Sequence, residues 1–112
     1  MKRSDRERLS DARQFIIDIG QIVSEVGGAP VQESVAYFAV LHHLTVLAEA
    51  LHQISQEVQN LSPEIPWAGI WATRNFIVHA YWQVDGAIVA EILNDRLAAL
   101  LAQVDSLIAL MA

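Results

Sequence analysis

The chain has 112 residues, 54% of them hydrophobic, no cysteine, and a formal charge of −6 from seven basic and thirteen acidic groups. That size suits one domain around one hydrophobic core, and five glycines and three prolines argue against disorder. The lack of cysteine excludes disulfides, thiolate metal sites and thiol nucleophiles, and makes a reducing cytoplasm the expected compartment.

The chain opens on MKRSDRERLSDARQ, which lacks the apolar stretch of a secretory signal. No apolar run is expected to reach the roughly 18 residues of a membrane span, so no membrane partner is expected. Lys2, Arg3, Arg6, Arg8 and Arg13 concentrate basic charge here, and the simplest reading is a solvated first turn or two of helix. Beyond Gln14 only Arg74 and Arg96 stand against ten acidic residues. Such an acidic body repels polyphosphates at long range, which disfavours broad electrostatic binding to DNA or RNA. Binding a nucleic acid would need local contacts, the basic strip or a second copy of the chain.

Leu9, Ala12, Ile16, Ile19, Val23 and Val26 follow the 3-4-3-4-3 spacing of an amphipathic helix, and Ser4 with Glu7 forms a capping box ahead of it. Gly27, Gly28 and Pro30 end it. A second, longer helix is predicted through the seam Val40, Leu44, Leu47, Leu51, Ile54, Val58 and Leu61. Beside that seam His42, Thr45, Glu49, His52 and Gln56 form a polar stripe. Its simplest reading is a solvent face. Glu49 and His52 also spell the Glu-x-x-His unit of di-iron bundles, although the chain holds no second such unit. The third reading pairs Glu49 with Arg74 on the next helix.

SPEIP, with Pro63 and Pro66, closes this helix and opens another at Trp67. On a helical wheel Trp67, Ile70, Trp71, Ile77, Val78, Tyr81 and Trp82 cover one apolar arc roughly 140° wide. Arg74 falls inside that arc, with Asn75 and His79 at its edge. An unpaired buried charge costs several kcal/mol, on the order of 3–5, so Arg74 needs a carboxylate partner or a ligand-binding cleft. Asp85 is the expected N-cap of a last helix with the stripe Leu93, Leu97, Leu100, Val104, Leu107 and Met111. Strand signals are absent. The expected fold is all-α, an antiparallel up-and-down four-helix bundle in a single domain, 1–112.

Arginine offers a fixed charge and a two-pronged fork for phosphate, and histidine titrates near neutrality. Together they are the minimum for cleaving RNA without metal. One of each per chain is thin equipment, and two chains meeting on a two-fold axis double it. Trp67, Trp71 and Trp82, with Tyr81, are more large aromatics than the bundle needs, and aromatics and Arg are enriched at interfaces. They are the expected dimer surface, with core placement of the tryptophans as the rival.

RNFIVHAYWQVD resembles the R-N-x-x-x-H-x-Y pattern of HEPN-domain proteins, most closely the HepT-like toxins. AVLHHLTVLAEA, SPEIPW and VDGAIVAEIL are similar to the family's flanking segments, so the resemblance spans Ala39 to Leu107. Two positions depart from the family's pattern: Ala48 stands for its glycine and Ala98 for its common proline. The resemblance implies a homodimer whose Arg-x4-His motifs face each other, acting as a metal-independent, cofactor-free RNase on cellular RNA, with tRNA among the candidates. It implies the toxin of a toxin–antitoxin pair, silenced when an MntA-like nucleotidyltransferase transfers AMP to a tyrosine. Arg74 and His79 would then be catalytic, supported by Asn75 and oriented by Glu49, with Tyr81 the AMP acceptor. The alternative is a non-catalytic subunit that holds a nucleotide or that same partner.

Overall fold

The computed structural model describes residues 3–111, so Lys2 of the basic strip and both ends of the predicted domain lie outside it. Among the described residues there is helix and no strand. Four long helices dominate: α1 (Asp5–Val26), α2 (Val35–His52), α4 (Trp67–Ala80) and α6 (Leu97–Leu110). A single turn, α3 (Gln56–Gln59), precedes α4, and α5 (Gly86–Glu91) runs into α6 through a π-helical segment, Ile92–Arg96.

The start of α1 follows from its sequence. Ser4 Oγ accepts the Glu7 amide at 3.1 Å while Glu7 Oε1 accepts the Ser4 amide at 3.1 Å, a closed capping box. At its other end Gly27 takes φ 82°, a left-handed cap that residues with a Cβ avoid. Leu9, Ala12, Ile16 and Ile19 are buried against α2 and α6. The core is completed by Val40, Leu47 and Leu51 of α2, Ile77 of α4 and Val104 and Leu107 of α6.

Two expectations need correction. The second helix is not continuous to Leu61. It begins at Val35 and stops at His52, and Ser55 caps the separate α3. The seam persists through Ile54 and the partly buried Val58 but not to Leu61, which is exposed, and the break is held from α1: Asp5 Oδ1 and Oδ2 accept the Ser55 amide and hydroxyl at 3.1 and 2.7 Å. Second, α2 is 18 residues long with a mean hydropathy of 1.3, so by length and composition one apolar run does reach the range of a membrane span. Its apolar stripe is the core of the bundle, and Glu49 and three histidines interrupt the rest of its surface.

The bundle is as expected all-helical, with one open edge. α1 packs on α2 and α6 and α2 packs on α4, but α4 makes little contact with α5 or α6. Between them lies an open cleft of about 600 Å³, walled by Ile70 and Thr73 on one side and by Ile92, Leu97 and Leu100 on the other. The four-helix arrangement is therefore open along one edge.

Two arginines of the basic strip, Arg3 and Arg13, are paired with carboxylates of the chain. Arg3 donates to both carboxylate oxygens of Asp11 at 2.8 Å, Arg13 reaches Asp105 at 2.6 Å, and Arg8 donates to the Gln53 carbonyl.

The Ser4 hydrogen bonds hold the Glu7 carboxyl below its ordinary range. The capping box therefore stabilises above the usual carboxylate pKa, and its contribution is lost as pH falls through the lowered value. Ser4→Ala is expected to cost about 1 kcal/mol at neutral pH. Thermal unfolding should show that deficit shrinking in acid.

Candidate active site

The site is assembled where α2 and α4 run antiparallel. Two contacts, one helical turn apart on each helix, join them: Glu49 with Arg74, and His52 with Trp71. Arg74 Nη2 donates to Glu49 Oε1 at 3.0 Å, and Nη1 donates to Asn75 Oδ1 at 3.1 Å. The guanidinium carbon sits 4.7 Å from the centre of the Trp71 ring, within cation–π range. Among the described residues no partner reaches Nε, although that atom is buried. The carboxylate partner expected for Arg74 is therefore present, yet the ion is not fully satisfied.

The pair sits at an edge. The Arg74 side chain keeps 21% of its exposure and Glu49 keeps 45%, so solvent reaches the carboxylate. An ion pair in that setting contributes little net stability, and its evident effect is orientation of the guanidinium. Glu49 thus pairs with Arg74 across the two helices, as one of its sequence readings has it. His52 lies flat on the Trp71 indole, centroids 3.7 Å apart and rings 6° from parallel. Glu49 and His52 are engaged by different residues of α4. Among the described residues no three His, Asp or Glu side chains converge to hold a metal ion.

His79 lies in the last turn of α4 and is exposed. No hydrogen bond or ion pair joins it to Arg74 among the described residues. Five helical residues separate the two, which turns them about 140° apart around the axis and sets them about 7.5 Å apart along it. Within one chain the cation and the imidazole therefore leave the helix in different directions.

The aromatic arc divides into three environments. Trp67 packs against the core and its indole Nε1 donates to the Ser62 carbonyl at 3.0 Å. That tether gives Trp67 a structural role, in line with the core placement that the sequence left open beside an interface. Trp71 is half-buried under His52 and Arg74. Tyr81 and Trp82 lie past the end of α4 on a single 3₁₀ turn, Tyr81–Gln83, at 58% and 67% exposure. The helical wheel does not extend to them. Their rings meet edge to face, 5.5 Å between centroids. Phe76 and Val78 add further exposed apolar surface to α4.

Sequence reasoning missed the His52–Trp71 stack. The polar stripe placed His52 on the same face as Glu49, but no spacing rule links it to Trp71.

Arg74→Met removes a half-buried cation and its unmatched Nε, so the variant is expected to unfold no earlier than the parent. Glu49→Leu leaves that cation without its carboxylate and should cost about 1 kcal/mol. Calorimetric melting of the two variants reads the asymmetry.

The chain matches the family described as Ribonuclease HepT-like over residues 9–107. It is 33% identical over 86 residues to a protein of Thermococcus cleftensis named as a probable ribonuclease HepT, covering 76% of this chain and 78% of that one. Two proteins of Methanocaldococcus jannaschii, each named as a candidate RNase, are 28% and 26% identical over 58 residues, which is 52% of this chain and 48% and 53% of theirs. No solved structure matches the chain. Residues 9–107 take in α1 through most of α6 and with them the whole α2–α4 site. The chain belongs to the HepT-like ribonuclease family.

Proposed function

We propose that this chain is the RNA-cleaving toxin of a toxin–antitoxin pair and works as a homodimer. One observation carries the reading: α4 displays a guanidinium held in place by Glu49, Asn75 and Trp71, and the same helix displays an open imidazole at His79.

In one chain the two groups diverge, so neither a second imidazole nor a converging cation is available to a single phosphodiester. A second α4 across a two-fold axis brings two of each to one groove. The exposed side chains of Phe76, Val78, Tyr81 and Trp82 support such a contact, since large apolar groups left in water at one helix end favour association.

The chemistry needs no metal. One His79 takes the proton of a ribose 2′-hydroxyl as its oxygen bonds to the adjacent phosphorus. The bond from phosphorus to the 5′-oxygen breaks, and the other His79 returns a proton to that leaving oxygen. The products are a 2′,3′-cyclic phosphate and a free 5′-hydroxyl. Arg74 offers its Nη donors to the non-bridging oxygens, where negative charge builds. Asn75 and Glu49 keep the fork from swinging.

Silencing uses Tyr81. Its exposed hydroxyl, two residues beyond His79, attacks the α-phosphorus of ATP bound to an MntA-like nucleotidyltransferase, and pyrophosphate leaves. The added AMP puts a bulky anion beside the groove and repels the RNA backbone.

His79→Ala is expected to lower RNA cleavage by at least about 100-fold while leaving the sedimentation of the dimer unchanged. Cleavage at the parental rate, or a parent that sediments as a monomer, overturns the reading. Co-expression with the nucleotidyltransferase should add the mass of AMP to the parent and none to Tyr81→Phe, as read by intact-protein mass spectrometry.

A further inference from the structure

We infer that His52 and Trp71 form a stacking subsite for an unpaired nucleobase of the RNA, next to the phosphate bound by Arg74. The inference rests on the ribonuclease reading above and adds a binding element to it.

His52 is the last residue of α2 and its ring is exposed. One face lies parallel on Trp71 at 3.7 Å. No hydrogen bond fixes its ring nitrogens among the described residues, whereas His43 on the same helix has Nδ1 within 2.7 Å of the Ala39 carbonyl. An unpinned imidazole would ordinarily sample several rotamers. This one is held flat by an indole on a residue that is otherwise exposed.

The same indole also carries the Arg74 guanidinium, 4.7 Å from its centre. A flat π surface and a fixed cation thus share one support. That combination fits single-stranded RNA, in which each exposed base is followed at once by a phosphate. It fits a duplex poorly, because paired bases present no free face. The charge of the chain sharpens the point. Arg3, Arg8 and Arg13 are already bonded to groups of the chain itself, so the described surface offers few cations to draw RNA in. Base stacking adds affinity without relying on charge, and it is tolerant of base identity because every base has a π face. The subsite therefore selects for an unpaired residue rather than for a sequence.

The test measures equilibrium binding of a fluorescent single-stranded oligoribonucleotide, 2′-O-methylated throughout so that it cannot be cleaved. His52→Ala is expected to weaken binding roughly 5- to 100-fold. His52→Phe, which keeps a flat ring and removes the nitrogens, should bind within about threefold of the parent. Walking an abasic residue along the oligonucleotide should reveal one position where loss of the base costs the parent as much as His52→Ala does. The two losses together should then cost no more than either alone. Parental affinity in His52→Ala, or His52→Phe as weak as His52→Ala, overturns the subsite. Cleavage of unmodified RNA, measured alongside, separates the two readings. A parent that cleaves RNA while His52→Ala binds normally refutes the subsite alone, and a parent that neither binds nor cleaves refutes both.

Discussion

A guanidinium inserted between two helices has to be held, and the way Arg74 is held organises the rest of the structure. Glu49 takes one Nη, Asn75 the other, and Trp71 lies against the plane, yet Nε is buried without a partner. An arrangement selected for stability alone would place a hydrophobic side chain here. Retaining a cation with one donor unmatched costs on the order of 1–3 kcal/mol. A site that presents positive charge in a fixed direction to an incoming anion accounts for that cost, because a preorganised donor need not reorient when the charge develops.

The electrostatics of the whole chain make that one side chain conspicuous. Most acidic groups lie outside the first helix turns, and the basic strip at the start of α1 is tied to Asp11 and Asp105. Such a surface repels a polyanion at long range, and the α2–α4 edge presents a cation within it. On the reading proposed above, recognition comes from short-range contacts: a fork on phosphate and rings on bases. The exposed aromatics at the end of α4 belong to the same economy of means.

Much of this was legible in the sequence because it depends on near neighbours. The α1 stripe, the Ser4–Glu7 box and the Asp85 cap follow from local spacing, and Ala87 donates to Asp85 Oδ1 at 2.8 Å as that cap requires. Glu49 was nameable as the partner of Arg74 because consecutive helices tend to be neighbours, and α2 does pack on α4. What escaped depends on longer contacts. Leu51, Ile54 and Val58 keep their period through the end of α2, so the break at Gln53–Ser55 leaves no mark on the pattern. It is created by Asp5, fifty residues away in the chain, binding Ser55. The end of α4 at Ala80 takes Tyr81 and Trp82 off the wheel, and no glycine or proline signals it. The π-helical segment at Ile92–Arg96 interrupts the last helix while its stripe stays on the core, and the sequence there reads as ordinary helix. Family membership places the fold, and the geometry of the individual side chains comes from packing.

Because Glu49–Arg74 and His52–Trp71 are spaced one turn apart on helices running in opposite directions, they behave as two pins through a hinge plate. Either contact alone would tolerate a slide of α2 along α4, whereas both together permit a single axial alignment. The connection from Gln53 to Pro66, with α3 and the buried Ile54 and Ile65, is thereby relieved of setting that alignment by itself.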